Sequence, residues 1–269
     1  MDFLHLASRL PGFIGLWCRF PIGPLPMRVE YGIFPYPQYA YGVYWSAYLA
    51  SKLGIPRITV IEFGVAGGRG LVALEKISEA VEAELGVGID VVGFDSGQGM
   101  PKAVDYRDLP HIWADGFYQM DEAKLRAGLN RARLVVGDVR TTVPEWISSR
   151  PAPLGFIAFD LDYYSSTKAA LGVFEGGESA HLPRVHCYFD DVASNDLGCM
   201  SEYAGELLAI REFNEGHADR KVAKFEQLRL CRTRWEVWQE RVYVFHHFTH
   251  SQYNTLVIPR DSRRAQMPL

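Results

Sequence analysis

Several features that would place this chain in a special class are absent from its sequence. The four cysteines show no CxxC spacing, so they are interpreted as reduced thiols of a cytoplasmic protein. Neither a spanning apolar run nor a basic signal segment with a cleavage site is present. The net charge of -4 gives no electrostatic reason to expect nucleic acid or an acidic membrane as a partner.

Two phosphate-binding motifs are also missing from the glycine-rich segment 62–70. The GxGxxG fingerprint would need glycine at position 66, which is Ala66, and a P-loop would end in Gly-Lys-Ser or Gly-Lys-Thr. Hydrophobic residues make up 48% of the 269 residues and charged residues 22%, which predicts an ordinary globule with a buried core. No repeat, low-complexity tract or linker divides the chain, so we expect one main domain and a small-molecule partner.

What the sequence does contain is a row of acids, each at the end of an apolar run. The runs are 58–62, 91–95, 134–138, 156–160 and 185–191. Successive acids lie 22 to 43 residues apart, which leaves room for a return helix each time and predicts parallel strands of one sheet. Ligands of such α/β sheets bind beyond the carboxyl ends of the strands. The row therefore predicts a site that favours positive charge and excludes an anion held by the same acids.

The remaining pattern predicts helices and a late β-rich segment. Helical spacing of apolar residues is present at 39–53, 71–85, 121–129, 141–148 and 202–214. A further helix is expected at 167–174, capped by Ser165 or Ser166. Segments 241–246 and 254–258 are rich in β-forming residues and are predicted to pair as an antiparallel hairpin.

Two segments fall outside this pattern. Residues 1–38 form an N-terminal extension, interpreted either as an arm over the site or onto a second subunit, or as an extra core helix. Residues 96–119 are irregular and rich in glycine, and such a segment inside a domain is usually a lid or binding loop. Its aromatic residues offer flat surfaces for an acceptor, although loop aromatics are as often simply packed: Tyr106, Trp113, Phe117 and Tyr118.

The glycine-rich segment follows an acid, and no lysine follows it, which suits a cationic ligand. S-adenosylmethionine carries a sulfonium and an ammonium group and no phosphate. Asp95, at the end of the next strand, can accept hydrogen bonds from both ribose hydroxyls, and Asp138 can accept one from an adenine amino group. The alternative for each acid is a helix N-cap, a place where acids are common in any α/β protein.

These residues resemble the class I S-adenosylmethionine-dependent methyltransferases, and more closely the bacterial small-molecule O-methyltransferases of the macrocin type. The resemblance is carried by segments 62–68, 93–101, 137–138, 159–168 and 189–191 and covers roughly residues 40–260. It implies a Rossmann-like three-layer α/β sandwich whose seven-stranded sheet is mostly parallel with the last strand antiparallel. Residues 39–269 would be the methyltransferase domain.

The resemblance also implies roles for individual residues. Glu62 and Gly64 would contact the methionine part of the cofactor, Asp95 the ribose and Asp138 the adenine. The whole expected cofactor set is Glu62, Gly64, Val65, Ala66, Gly67, Gly68, Asp95, Ser96, Asp138, Val139 and Asp160. Arg69 departs from the family pattern, since a small residue is more usual there.

The family uses a divalent metal, usually magnesium, between acids at the ends of the fourth and fifth strands. The matching positions are Asp160, Asp190 and Asp191. Together with Asp162 these carboxylates would repel one another and raise each other's pKa values, which a hard cation would relieve. The alternative is that one or two of them cap helices or pair with Arg184 or Lys168.

The expected reaction is metal-assisted methyl transfer to a hydroxyl of a natural-product or sugar-like acceptor. Candidates for the catalytic groups are Asp160, Asp162, Lys168 and His111, the last three as general base. Transfer to nitrogen or a carboxylate without metal is one alternative, and a nucleoside-binding scaffold without turnover is another. His246, His247 and His250 are interpreted as core or surface residues, since neighbouring strand residues face opposite ways. A homo-oligomer through the N-terminal arm is a further expectation.

Overall fold

A computed structural model describes residues 2–193 and 197–258. Its strands are β1 Arg57–Phe63, β2 Gly88–Asp95, β3 Arg133–Val136, β4 Leu154–Phe159, β5 His181–Phe189, β6 Arg220–Lys224 and β7 Val242–His247. Within the described residues they form one seven-stranded sheet in the order β3-β2-β1-β4-β5-β7-β6. Strands β1 to β5 are parallel, and β7 is antiparallel to both β5 and β6. The predicted α/β sheet with an antiparallel last strand is confirmed.

Helices flank this sheet in two groups. They are α1 Asp2–Ala7, α2 Phe13–Arg19, α3 Leu25–Glu30, α4 Pro37–Leu53, α5 Arg69–Leu85, α6 Glu122–Gly128, α7 Val139–Ser148, α8 Tyr164–Ala170 and α9 Gly205–Gly216. Helices α4 and α5 pack on each other, and α8 packs between α7 and α9. Strand residues alternate between the two groups: Gly93 of β2 faces Leu71 of α5, whereas Phe94 contacts Trp146 of α7.

An aromatic ladder runs across the sheet just beneath the acid row. It consists of one phenylalanine from each of β2, β1, β4 and β5: Phe94, Phe63, Phe159 and Phe189. Neighbouring rings in this series lie 4.9, 5.4 and 4.4 Å apart, and all four are fully buried. Each phenylalanine is next in sequence to an acid of the row. Packing of these four rings therefore fixes the position of the backbone that carries the acids.

The predicted hairpin between segments 241–246 and 254–258 is wrong. Strand β7 pairs with β5 and β6, and residues 254–258 contain no strand. Strand β6 escaped the sequence pattern because it carries Arg220, Lys221 and Lys224 and only one fully buried side chain, that of Val222. Charged side chains are typical of a short edge strand, where they oppose pairing with another chain.

The helix predicted at 167–174 begins and ends earlier than expected. Helix α8 runs Tyr164–Ala170 and continues as a 3-10 turn, Leu171–Glu175. Neither Ser165 nor Ser166 caps it. Asp108, from the distant loop, accepts hydrogen bonds from the Ser165 backbone N–H at 2.9 Å and from its hydroxyl at 3.1 Å. The helix predicted at 202–214 also starts later, at Gly205.

The N-terminal extension folds as three short helices around a small cluster of its own. Trp17, Tyr31 and Ile33 form the centre of that cluster. The extension is tied to the segment between β6 and β7, since Glu30 accepts hydrogen bonds from Arg232 and Thr233. A role as a subunit arm stays a prediction. No helix in the described ranges has the length and apolarity needed to cross a bilayer.

Candidate functional site

Glu62 lies two residues deeper in the sheet than Asp95 and Asp160. It pairs in register with Gly93 and Ala158, whereas Asp95 and Asp160 come after that level. Its side chain therefore points to the face covered by α4 and α5. It is 2% exposed, its Oε1 accepts a hydrogen bond from the Tyr39 hydroxyl at 2.7 Å, and its Oε2 has no partner among the described residues. Burial raises the pKa of Glu62 to about 8.

The loop after β1 brings the backbone close to the ends of the neighbouring strands. Gly64 has φ +82°, and a Cβ there would lie 1.7 Å from the backbone oxygen of Asp160. Only glycine fits such an approach. Ala66 also takes a left-handed φ of +45°, at the position that a GxGxxG motif would give to glycine. Val65 is buried against Gly93, and Gly67 is exposed with open space around its Cα.

Asp95 holds this loop in place. Its Oδ2 accepts a hydrogen bond from the Ala66 N–H at 2.8 Å, and its Oδ1 accepts one from the Gly97 N–H at 2.7 Å. Each carboxylate oxygen has a second lone pair, so the side chain keeps acceptor capacity for a ligand. Ser96 beside it donates its hydroxyl to the Gly99 carbonyl at 2.8 Å and so shapes the start of the loop 96–119.

Asp138 caps a helix, which is the alternative role given for each acid in the sequence analysis. Its Oδ1 accepts a hydrogen bond from the Arg140 N–H at 2.8 Å, which caps α7, and its carboxylate also pairs with the Arg140 guanidinium. The hydrogen bonds from Arg140 hold the pKa of Asp138 below its usual range. Val139 is the first residue of α7. The expected adenine contact stays a prediction, and any such contact must share the carboxylate with this cap.

The acids beyond β4 and β5 form a dense negative cluster. Asp162 is 8% exposed with φ +60°, and its backbone N–H donates to Asp191 Oδ2 at 3.1 Å. Burial raises the pKa of Asp162 to about 7, with a further contribution from Asp190. Burial and the neighbouring carboxylates also raise the pKa values of Asp160 and Asp191 well above their usual range.

Two partners of this cluster were not found from the sequence. Arg241 of the turn before β7 pairs with Asp190 at 2.8 Å, whereas the expected partners lie elsewhere, Arg184 on the Tyr253 carbonyl and Lys168 on Glu212. Glu206, in the first turn of α9, accepts a hydrogen bond from the Asp191 N–H at 2.9 Å. Glu206 is 1% exposed and its Oε1 has no partner among the described residues. The sequence signal was weak, because an acid in the first turn of a helix is usually a solvated cap.

The side chains of Asp160, Asp190 and Asp191 are not arranged to form the expected magnesium site. Asp190 is engaged by Arg241 and by the Tyr188 hydroxyl, and Asp191 by the Asp162 backbone. In the described parts of the chain, no group of three His, Cys, Asp or Glu side chains is placed to hold a metal ion. The oxygen donors suit a hard cation chemically, but their placement does not fit one. The metal role of Asp160, Asp190 and Asp191 stays a prediction.

The structure separates the three candidates for the general base. Lys168 pairs with Glu212 at 2.6 Å, and the hydrogen bonds to Glu212 and Tyr164 raise its pKa, so it remains a cation. His111 is exposed, in the turn-rich part of the loop 96–119. Asp162 is buried within the acid cluster and has a pKa near neutrality. Asp162 is therefore the candidate whose environment suits proton abstraction.

The loop 96–119 reaches the acid cluster and is pinned at its middle. Asp108 is 1% exposed and accepts hydrogen bonds from Val104 and Ser165, which fastens the loop to α8. Tyr118 lies near the cluster, since burial and the carboxylates of Asp162 and Asp191 raise its pKa. Its ring contacts those of Trp113 and Phe117 and is half exposed, as an acceptor-facing residue would be.

The histidines near the end of β7 and just after it, His246, His247 and His250, lie in or against the core. His246 faces one side of β7 and contacts Tyr253, whereas His247 faces the other. His247 lies with His181 and His250 in a buried group whose ring centroids are 5.1 to 6.2 Å apart. This group is at the opposite end of β5 from Asp190. Burial lowers the pKa of His181 to about 4, so the ring is neutral at pH 7.

Two surface hollows lie away from the acid row. One, of roughly 520 Å³, is between α7 and α8, with Val143 and Gly172 in its wall. The other, of roughly 420 Å³, lies at the amino ends of the strands, near Thr59 and Arg133. Neither contains a residue of the glycine loop or the acid cluster. We therefore assign the candidate site from the chemistry at the carboxyl ends of the strands.

Comparison with known proteins supports the fold. No protein-family model matches the chain, and no curated protein matches it. Among solved structures, it is similar to the calicheamicin methyltransferase CalS11, with a TM-score of 0.53, 19% identity, and coverage of 90% of this chain and 89% of that one. At this identity the likeness shows the fold alone.

Two further structures are more distant. An apo structure of CalS11, described as a TDP-rhamnose 3'-O-methyltransferase, has a TM-score of 0.45 and 18% identity, covering 91% of this chain and 94% of that one. An O-methyltransferase from Bacillus cereus in complex with S-adenosylhomocysteine has a TM-score of 0.36 and 14% identity, covering 76% and 78%. The sheet order and the first comparison together show a Rossmann-like fold of the kind that CalS11 has. The finer macrocin-type resemblance stays a prediction.

Proposed function

We propose that this chain is an S-adenosylmethionine-dependent methyltransferase that acts on a hydroxyl group of a small molecule. The observation that carries the proposal is the Glu62 carboxylate, which is fully buried beside the glycine loop and has one oxygen without a partner in the described residues. A buried carboxylate needs a partner, and a cationic ligand supplies one. The same place in a dinucleotide- or phosphate-binding protein would offer only backbone N–H groups or a lysine.

In this proposal, the other predicted cofactor residues lie where the remaining parts of S-adenosylmethionine would bind. Asp95 has acceptor capacity for the ribose hydroxyls at the next strand end. Gly67 leaves the backbone open to a ligand, since it carries no side chain and nothing lies close to it, whereas Gly64 lets the loop approach the Asp160 carbonyl. Asp138 lies at the end of β3, where the adenine would come, although its carboxylate already caps α7. The methionine part would lie over Glu62, with Arg69 exposed at the start of α5 beside it.

Asp162 is the general base of the proposed reaction. It takes the proton of the acceptor hydroxyl as the oxygen attacks the sulfonium methyl carbon, the carbon–sulfur bond breaks and S-adenosylhomocysteine leaves. A pKa near 7 suits this role, because the carboxylate is partly ionised at neutral pH and still basic enough to accept the proton. Asp191 accepts the Asp162 N–H and so positions the base. Positioning of the two substrates would supply most of the remaining catalysis.

Magnesium assistance is a separate part of the proposal. The donor chemistry of Asp160, Asp190 and Asp191 supports it, whereas the placement of these side chains does not. Proton transfer to Asp162 and methyl transfer to the acceptor do not depend on a metal. Turnover that survives excess chelator would remove this part and leave the methyltransferase proposal intact.

The acceptor is proposed from the surfaces around the acid cluster. Phe117, Tyr118 and Trp113 present aromatic faces suited to an aromatic or sugar-like molecule. The name of the calicheamicin methyltransferase supports a natural-product acceptor by analogy of fold. A second candidate is an amine acceptor. It is favoured by Glu206, whose buried Oε1 has no partner within the described residues and would accept from an ammonium group.

We expect Asp162→Asn to lower turnover by a factor of about 100 or more while leaving the dissociation constant of S-adenosylmethionine within about threefold, because only proton transfer is removed. The measurement is release of S-adenosylhomocysteine with a panel of small phenols, sugars and amines. Lys168→Met is the matched control, and its turnover should change little. An Asp162→Asn protein as active as wild type would contradict the assignment of the base.

A further inference from the structure

A tyrosine from outside the glycine loop lies at the bottom of the candidate cofactor site. Tyr39 belongs to the first turn of α4 and is 3% exposed. Its ring contacts Tyr36, Phe156 and Tyr188, with centroids 5.1, 5.7 and 6.3 Å away. With the ring held on several sides, the hydroxyl is directed at Glu62 Oε1, which it reaches at 2.7 Å.

The space around Glu62 leaves its carboxylate little freedom. Gly70, in the first turn of α5, is the residue that makes room for it. A Cβ on Gly70 would lie 1.8 Å from Glu62 Oε1 and 3.2 Å from the Tyr39 hydroxyl. The Oε1 atom is therefore confined between the backbone of α5 and the Tyr39 hydroxyl. This confinement directs the second oxygen, Oε2, to a place where no described group meets it.

We propose that Tyr39 is a positioning residue for the cofactor, holding Glu62 so that its free carboxylate oxygen meets the positive charge of S-adenosylmethionine. The inference rests on the proposed function and adds to it a residue of α4 that no cofactor motif contains. It also gives Gly70 a role, that of leaving room for the carboxylate.

The chemistry of the pair favours a binding role over a structural one. A buried acid that serves only stability is normally neutralised by lysine or arginine, or has both oxygens satisfied. Glu62 has neither arrangement within the described residues, where its one hydrogen bond comes from a neutral hydroxyl. A tyrosine hydroxyl orients the carboxyl group without supplying a counter-charge. The negative charge that Glu62 gains when it ionises is thus left for a cationic ligand to neutralise.

Calorimetry with two ligands tests the inference. S-adenosylmethionine carries the cations, whereas 5'-methylthioadenosine has the same adenine and ribose and neither cation. We expect Tyr39→Phe to weaken binding of S-adenosylmethionine by about tenfold, the typical effect of a hydrogen bond to a charged group. Binding of 5'-methylthioadenosine should change by less than about twofold, because a ligand without cations does not need the oriented carboxylate.

Three further variants make the result specific. Gly70→Ala should reproduce the selective loss by displacing the Glu62 carboxylate while the Tyr39 hydroxyl is still present, and it serves as the test if Tyr39→Phe does not fold. In a Glu62→Gln background, Tyr39→Phe should have less effect than in wild type, since the charge it orients is gone. Tyr44→Phe is the matched control. Tyr44 is a buried tyrosine of the same helix, and no hydrogen bond of its hydroxyl is among those the structure describes.

The outcomes separate this inference from the function on which it rests. A folded Tyr39→Phe protein with unchanged affinity for S-adenosylmethionine would overturn the inference, as would an equal loss for both ligands. A folded wild-type protein that does not bind S-adenosylmethionine would overturn the proposed function and the inference with it. Selective loss in Tyr39→Phe and Gly70→Ala, with Tyr44→Phe like wild type, would establish the positioning role.

Discussion

The acids of the row look alike in the sequence, but the sheet gives them different environments. Glu62 lies inside β1 and faces α4 and α5, whereas Asp162 and Asp191 lie beyond the strands in the acid cluster. Burial raises the pKa of Glu62 to about 8, with the Tyr39 hydrogen bond opposing and Asp95 adding to the rise. Glu62 is therefore mostly protonated at pH 7 in the free protein, and a cationic ligand must displace that proton to gain the full interaction.

This protonation predicts how cofactor affinity depends on pH. Between pH 6.5 and 7.5 we expect affinity for S-adenosylmethionine to rise by up to about tenfold, because each unit below the Glu62 pKa reduces the ionised fraction by that factor. Above about pH 8.5 the affinity should level off. Calorimetry across this range, on wild type and Glu62→Gln, is the measurement. Glu62→Gln controls for titration of the ligand itself, because the ligand titrates in the same way with both proteins. If affinity changed with pH by the same amount in both proteins, the role of Glu62 would be refuted.

At the residue scale, the sequence predicts what is local and misses what is brought together by folding. Glu62, Asp95 and Asp160 follow apolar runs, so their place at the strand ends could be predicted. The contribution of Tyr39 could not, because its hydroxyl meets Glu62 only when α4 crosses the sheet. Glu206 and Arg241 were missed for the same reason. Each reaches the acid cluster from an element that is distant in sequence.

At the scale of elements, the loop 96–119 is a docked structure and α8 depends on it. Asp108 accepts hydrogen bonds from Val104 and from both the backbone and hydroxyl of Ser165. Arg107 adds to the contact by lying over the Tyr164 ring, 4.7 Å from its centroid. The lid-like segment predicted from composition is thus anchored in its middle. The aromatic residues proposed to face the acceptor, Trp113, Phe117 and Tyr118, come after this anchor in the sequence.

We expect Asp108→Ala to lower the free energy of unfolding by about 2 kcal/mol, since it removes a helix cap and leaves buried donors without a partner. The Michaelis constant for the acceptor should rise more than the dissociation constant for S-adenosylmethionine, because the loop contacts the acceptor side. Urea unfolding and initial-rate kinetics are the measurements. Asp115→Ala is the control and should change stability little, because Asp115 is an exposed acid of the same loop and no hydrogen bond of its side chain is among those the structure describes. Equal effects of the two variants would contradict the anchoring role.

Strands and helices could be predicted where a single feature of the sequence, such as an apolar run or a pair of flanking glycines, was strong. Strands β1 and β4 are covered on both faces and therefore read as continuous apolar runs. The glycines that flank α5, Gly68 and Gly86, both adopt left-handed conformations and mark its ends. Strand β6 was missed because charged residues outweigh its single buried valine. The cap of α8 was assigned to a local serine, whereas the acid that caps it comes from a loop about 57 residues earlier in the chain.

At the scale of the whole molecule, the two ends of the sheet carry titratable groups whose proton affinities change in opposite directions on folding. The acid cluster at the carboxyl ends holds protons more tightly than the unfolded chain does. The buried histidines near the start of β5 hold them less tightly. His181 is 1% exposed between Phe174 and Phe245, and burial lowers its pKa to about 4. Acidification therefore favours the folded state at one end and opposes it at the other.

The histidine contribution can be isolated by difference. The unfolded chain binds a proton at His181 below about pH 6.5 and the folded chain does not, so stability falls as the pH drops from 6.5 toward 4. Relative to His181→Leu, the free energy of unfolding of wild type should fall by about 2 kcal/mol between pH 6.5 and 5. Urea unfolding at the two pH values measures this, and the acids cancel because both proteins contain them. A difference that does not change with pH would show that the folded and unfolded chains bind a proton at His181 equally well, and would contradict the lowered pKa.

The account depends most on the identity of the ligand at the carboxyl ends of β1 and β2. Isothermal calorimetry of the purified chain with S-adenosylmethionine, and separately with NAD, tests this directly. We predict saturable binding of one S-adenosylmethionine per chain, lost or strongly weakened in Glu62→Gln, and no binding of NAD, since the loop lacks the GxGxxG fingerprint. A folded protein that binds NAD, or that fails to bind S-adenosylmethionine, would contradict the account.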